Sequence, residues 1–186
     1  MVSSLTTSIQ PPVEAARRQV PIPGVTIYRP ATYVVGRGSL TEIFRTSWGL
    51  GTMHQWTALT LGTRVVRGPS VHCRHTDAVI ALDGVLEIGL RDLRERSPAF
   101  LRASRVALSG AEPTLVVIPP GVMHAFYSAT VPTLVLVGNT LEFDPDDDIK
   151  CCWQDAALDL DEAVVGTQDS RARPLNEVIA TLRAFT

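Results

Sequence analysis

Residues 67–100 read RGPSVHCRHTDAVIALDGVLEIGLRDLRERSPAF. The middle of this stretch is apolar and is broken at Asp83-Gly84, a pair that predicts a tight hairpin turn. After the break, Leu86, Ile88 and Leu90 alternate with Glu87, Gly89 and Arg91. A period of two predicts a strand with one buried face. Before the break, Ser70, His72 and Arg74 stand two apart, and in a regular strand they point the same way. Three polar groups on one face of an apolar sheet mark a candidate site. Residues 39–44 predict a further strand, with Leu40, Glu42 and Phe44 on one face. Residues 53–66 predict two strands around Gly62, and residues 102–108, 115–118, 122–127 and 132–139 one each. Pro119-Pro120-Gly121 supplies a turn. Residues 153–165 and 174–185 have helical spacing, the second with Leu175, Val178, Ile179, Leu182 and Phe185. Short strands with Gly/Pro turns, finished by helix, predict an all-β sandwich or barrel with a short helical C-terminal tail. No internal repeat is present.

Composition narrows the picture. A chain of 186 residues with a net charge of -2 predicts one domain with a sizeable core. That charge gives no reason to expect nucleic acid or an anionic membrane as partner. The three cysteines, Cys73, Cys151 and Cys152, are odd in number and have no framework spacing. They fit a reducing, cytoplasmic setting. Residues 1–10 lack the apolar core of a leader, and no stretch has the length of a membrane span. Arg outnumbers Lys, with Lys150 the single Lys. The Asp146–Asp148 run reads as a solvated loop.

Several motifs follow one another at characteristic spacings. They are Arg37-Gly38 with Glu42; Arg67-Gly68; Asp92-Leu93-Arg94 followed by Ser97-Pro98-Ala99-Phe100; Ile118-Pro119-Pro120-Gly121 with His124 and Phe126; and Trp153 with Asp155, Ala157 and Leu158. In this order they resemble the dTDP-4-dehydrorhamnose 3,5-epimerase family over roughly residues 25–175. The resemblance implies a cupin jelly-roll β-barrel over 25–165, residues 1–24 as an arm or exchanged strand, and 166–186 as a helical tail. It implies a homodimer that exchanges N-terminal strands, with no cofactor and no metal. It places substrate contacts at Arg37, Glu42, Gln55 and Arg67, the two arginines suiting a diphosphate. Trp56 and Tyr127 are further candidates to line a cavity.

The departures from the family pattern bear on chemistry. Where the resemblance puts a catalytic His, Lys and Tyr, this chain has Ser70, Asp77 and Val137. Epimerisation beside a ketone needs a base, a group to hold the enolate, and an acid for the opposite face. Ser cannot replace His as a base near neutral pH, and Asp reverses the charge of Lys. His72 shares a predicted face with Ser70 and His124 lies on a matched motif. An imidazole can do either proton-transfer task, and Asp77 can orient one. The expected catalytic set is therefore His72, His124, Asp77 and Ser70. A metal site would need His72, His75, Asp77 or Glu87, and His124. His72 and His75 are three apart, which in a strand sets them on opposite faces and His75 on the surface.

These changes favour a barrel repurposed as an isomerase or cyclase in secondary-metabolite biosynthesis, with an apolar pocket that includes Val137. The alternatives are an epimerase or ketoisomerase of a dTDP-4-keto-6-deoxy sugar, and a catalytically dead binding paralogue. The expected partner is a small molecule, either a natural-product intermediate or a dTDP-sugar.

Overall fold

Strands form where short β-branched and apolar runs are punctuated by glycine and proline. The computed structural model describes residues 18–160 and 170–185. In chain order the strands are β1 (Arg18–Gln19), β2 (Thr26–Tyr28), β3 (Thr32–Val35), β4 (Gly38–Thr41), β5 (Gln55–Leu61), β6 (Val65–Val71), β7 (Asp77–Asp83), β8 (Val85–Asp92), β9 (Ala103–Ser109), β10 (Leu115–Ile118), β11 (Val122–Ser128), β12 (Thr133–Asn139) and β13 (Ile149–Lys150). Two helices follow, α1 (Trp153–Ala156) and α2 (Leu175–Arg183). One sheet has the order β1-β2-β10-β7-β12-β5 and the other β13-β6-β11-β8-β9, with β3-β4 as a separate hairpin. Two antiparallel sheets with consecutive strands crossing between them make the jelly roll.

The main core fills the space between the sheets. Val79, Ala81, Val116, Ile118 and Val135 come from one side, and Leu86, Ile88, Leu90, Val122 and Phe126 from the other. The outer faces are covered too. Ala78, Ile80, Leu115 and Val117 lie beneath Ile43, Phe44, Trp48 and Met53. Val71, Leu93 and Met123 lie beneath Val178 and Leu182 of α2. Strands buried on both faces lose the simple alternation and read as continuous apolar runs, as Leu115–Ile118 does, buried at every position. A Cβ at Gly89 would lie 2.8 Å from Leu160 Cγ, so glycine lets residues 158–160 close over β8. Beside it, Arg91 Nη1 donates to the carbonyls of Asp155 and Ala156 and holds the end of α1.

The Asp-Leu-Arg and Ser-Pro motif is a structural device. The buried Asp92 carboxylate accepts from Arg94 Nε and Nη2, both at 2.8 Å, and from Ser97 Oγ at 2.6 Å. Burial alone would raise the Asp92 pKa, but these hydrogen bonds outweigh it and hold the group below its ordinary value.

Several sequence expectations are corrected. Asp83-Gly84 is not a hairpin turn. β7 and β8 lie in different sheets, and Gly84, at φ 75°, turns a corner where a Cβ would lie 2.4 Å from the Pro132 carbonyl oxygen. β6 ends at Val71, so His72 and Arg74 belong to a connection and strand parity does not govern them. The helical reading of 153–165 reduces to α1 and a coil through Leu160, with 161–165 outside the described residues. Residues 18–24 belong to the barrel rather than to an arm: β1 pairs with β2 of the same chain, and Ile22 is fully buried. Residues 1–17 lie outside the described residues, as do 161–169, which include the start of the expected tail, and Thr186.

Candidate active site

Strand register builds the site from two facing rows. On one sheet Lys150 is the partner of Ser70, and Ser70 of His124. On the other, Gln55 is the partner of Asn139, and Asn139 of Asp77. All six side chains line one open cavity of roughly 270 Å3 at the mouth of the sandwich. The connection from β6 to β7 crosses between the sheets there and brings in His72 and His75. Their rings stack with centroids 4.0 Å apart. The expected opposition of these histidines fails because neither lies in a strand. His75 is buried, not on the surface.

Asp77 is the centre of the cluster. His75 Nε2 lies 3.2 Å from its Oδ1, and His72 Nε2 and His124 Nε2 lie 3.5 and 3.3 Å from its Oδ2. Asn139 Nδ2 donates to Oδ1 at 2.6 Å. Burial would raise the Asp77 pKa; the hydrogen bond from His75 and the fields of the three histidines win and lower it. His124 is pushed down to about 4, chiefly by burial, against the attraction of Asp77. Burial also acts downward on His75, but Asp77 and Asp147 at its two nitrogens more than compensate and raise it.

Asp147 is the largest correction to the loop reading of the acidic run. It is 2% exposed. Its carboxylate accepts from the Cys73 backbone N–H at 2.8 Å and from His75 Nδ1 at 2.7 Å, and its carbonyl accepts from His72 Nδ1 at 2.9 Å. Composition marked the run as solvated, whereas unpaired N–H groups of the 72–76 connection draw one member inward. Asp146 is exposed as expected.

Lys150 was missed as a site residue. Its Nζ donates to Ser70 Oγ and to Asp148 Oδ1, both at 2.7 Å. Its status as the single Lys was the one available signal. Ser70 is thus held by an ammonium and has no base beside it. Cys73 is pushed up to about 11 and Cys151 to about 12, mainly by burial, which keeps both as thiols near neutral pH.

The remaining candidates divide. Arg67 is exposed at the cavity rim, and Val137 with Leu59 forms an apolar wall. Gln55 lines the cavity while its Oε1 accepts from the Phe143 backbone N–H at 2.7 Å, fixing that loop. Trp56 faces the other side of β5. It packs edge-on to Phe44 and covers Gly138, outside the cavity. Tyr127 also points outward, into a cluster with Leu160. Glu42 is engaged by Arg45, and Arg37 is exposed in the β3–β4 turn; neither lines the cavity. Glu87 pairs with Arg105 and is not part of the cluster.

Comparisons with known proteins agree with this architecture. The sequence model described as dTDP-4-dehydrorhamnose 3,5-epimerase matches residues 19–177. The dTDP-6-deoxy-D-glucose-3,5-epimerase of Legionella pneumophila, solved in complex with dTDP-4-keto-L-rhamnose, is 23% identical with a TM-score of 0.79, over 89% of this chain and 95% of that one. The Mycobacterium tuberculosis RmlC epimerase is 20% identical with a TM-score of 0.78, over 91% and 96%. NovW of Streptomyces spheroides, a 4-keto-6-deoxy sugar epimerase from the novobiocin gene cluster, is 19% identical with a TM-score of 0.76, over 94% and 95%. No curated protein matches the chain. At these identities the solved structures establish the shared fold, and the family match over residues 19–177 establishes that the chain belongs to the dTDP-4-dehydrorhamnose 3,5-epimerase family.

Proposed function

We propose that the protein is an isomerase or epimerase that moves a proton at a carbon beside the carbonyl of a dTDP-linked 4-keto-6-deoxy sugar. The observation that carries this reading is the character of the cavity. It is open, and its partly apolar lining carries charged groups, with Arg67 at its rim and the Lys150 ammonium in its wall. A closed apolar chamber would have supported a cyclase instead. A guanidinium at the rim suits a diphosphate. An ammonium held by Ser70 and Asp148 suits the oxygen on which enolate charge develops. His72, His124 and Asp77 are the groups for proton transfer. His72 is the most accessible of the three, its side chain 12% exposed. The names of the similar solved structures point to the same substrate class.

Deuterium wash-in tests this reading. Incubation with dTDP-4-keto-6-deoxyglucose in D2O should place deuterium at C3 or C5, read by NMR. Arg67→Ala should weaken dTDP binding by about tenfold, the size of one charge-assisted hydrogen bond. No exchange together with no dTDP binding would remove the sugar-nucleotide reading.

One observation favours a second reading. Val137 and Leu59 give the cavity an apolar wall, and Ser70 and Asp77 replace the residues that the family resemblance implies. A barrel turned to isomerisation or cyclisation of another natural-product intermediate fits those changes. Products that accumulate on gene deletion would show it. Under either reading we infer a homodimer. Among the described residues the β3–β4 hairpin pairs only with itself, and it carries Val34 and Leu40 exposed on its two faces, open to a second copy of this chain.

A further inference from the structure

The three histidines around Asp77 are oriented by hydrogen bonds that leave one question of charge. His72 Nδ1 faces the Asp147 carbonyl at 2.9 Å, and His124 Nδ1 faces the Val122 carbonyl at 3.3 Å. A carbonyl oxygen only accepts, so both Nδ1 atoms carry the hydrogen. His75 Nδ1 likewise meets the Asp147 carboxylate at 2.7 Å. Where the ring is neutral it has one N–H, so its Nε2 then presents a lone pair; a charged His75 would instead donate to both Asp77 and Asp147. All three Nε2 atoms converge on the Asp77 carboxylate at 3.2–3.5 Å. Asn139 already donates to that carboxylate and fixes its plane. Lone pairs facing an anion repel unless a proton or a cation lies between them.

Protonating every imidazole is a poor solution. The His72 ring lies 4.0 Å from the His75 ring and 5.2 Å from the His124 ring. Three adjacent imidazolium ions would repel one another in a largely buried place. One divalent cation can meet the Nε2 lone pairs of His72 and His75 and the Asp77 carboxylate together. A metal with bonds of about 2.0–2.2 Å to nitrogen and oxygen sets neighbouring ligand atoms about 3.0–3.5 Å apart. The observed nitrogen–oxygen separations fall in that interval, and the ligand atoms of His72, His75 and Asp77 all lie within 4.8 Å of one another. The outer shell is also built. Both ligand histidines anchor the other nitrogen on Asp147, as metal-bound histidines do on an oxygen.

We propose that His72 and His75, through Nε2, and the Asp77 carboxylate bind one divalent first-row transition-metal ion at the mouth of the barrel, with His124 beside them against Asp77. Two imidazole nitrogens and one carboxylate suit zinc, iron, cobalt or manganese and do not suit magnesium or calcium, which take oxygen. Ser70 and Lys150 line the same cavity, from which a carbonyl or hydroxyl oxygen of a small molecule could approach such an ion. This goes beyond the sugar-nucleotide reading and does not depend on it. A bound ion would engage the Nε2 lone pairs of His72 and His75, so the proton-transfer roles proposed above for His72 and Asp77 belong to the metal-free protein.

The test reads metal and not turnover. The untagged full chain is incubated with Co(II) or Zn(II), desalted, and measured by elemental analysis and visible absorption. We expect about one equivalent per chain and a Co(II) ligand-field band, with a rise in Tm because the metal binds the native state. His72→Ala and His75→Ala should each cut retention at least about tenfold, the loss expected for a ligand or its partner. His54→Ala, an exposed histidine outside the cluster, should retain the metal. Retention below about a tenth of an equivalent, with no cobalt band and no rise in Tm, would overturn the proposal. So would full retention by the His72 and His75 variants. Should those variants fail to fold, the wild-type stoichiometry and Tm decide. Because deuterium exchange is not among these readouts, the metal site and the sugar-nucleotide reading fail separately.

Discussion

Lys150 shows what a single residue contributes at this site. Its Nζ is held at 2.7 Å by both Ser70 and Asp148, so the ammonium is already in place before substrate arrives. A donor preorganised toward developing negative charge contributes most in the transition state. Lys150→Met should therefore lower the rate of deuterium exchange by about 100-fold or more while dTDP affinity changes little. An exchange rate within a few-fold of wild type would remove Lys150 from the chemistry. The residue sits eighty positions from Ser70, with no local motif between them. Composition singled it out, but nothing in the chain said where it goes. Ser70 and His72 were read as neighbours on one strand face, and the end of β6 at Val71 separates them. They still meet in the cavity, for a reason that parity could not supply.

Elements carry their own devices. The turn after β8 is built on Asp92, which holds Arg94 and Ser97. Its pKa is depressed in the folded protein, so it contributes stability that is present above the unfolded value. That contribution is lost as pH falls below the ordinary carboxylate range, near pH 4, through the lower folded value. Asp92→Asn should lower stability at pH 7 by about 1–3 kcal/mol, the cost of weakening hydrogen bonds to a buried charged group. The variant's denaturant midpoint should then fall less steeply than that of wild type between about pH 5 and pH 2. Parallel curves would mean that Asp92 is not part of the acid response. Strand positions were legible at this scale. Leu115–Ile118 and the strands at 122–128 and 133–139 form where apolar, β-branched runs end at glycine, proline or asparagine. Connections were less so: Asp-Gly suits a tight turn in isolation, but β7 and β8 enter opposite sheets because each has a better partner elsewhere.

Among the described residues the β3–β4 hairpin stands apart from both large sheets. Val34 and Leu40 are 85% and 52% exposed on its two faces. Water-exposed apolar side chains on a two-stranded element favour burial against a partner. Sedimentation should give twice the chain mass, and Val34→Asp combined with Leu40→Asp should shift it to the monomer. A wild-type monomer at micromolar concentration would exclude the homodimer.

By itself the sequence determined the class of the fold, because burial on a sheet face imposes a local pattern. It also determined the ordered family motifs, and it named two of the histidines that line the cavity. The tertiary structure alone decided the register that sets Lys150 against Ser70 and Asn139 against Asp77. It alone turned His75 inward and buried Asp147. The physical reason is the same in each case. A polar side chain enters a core only when its partners are already there, and those partners come from strands and loops far apart in the chain.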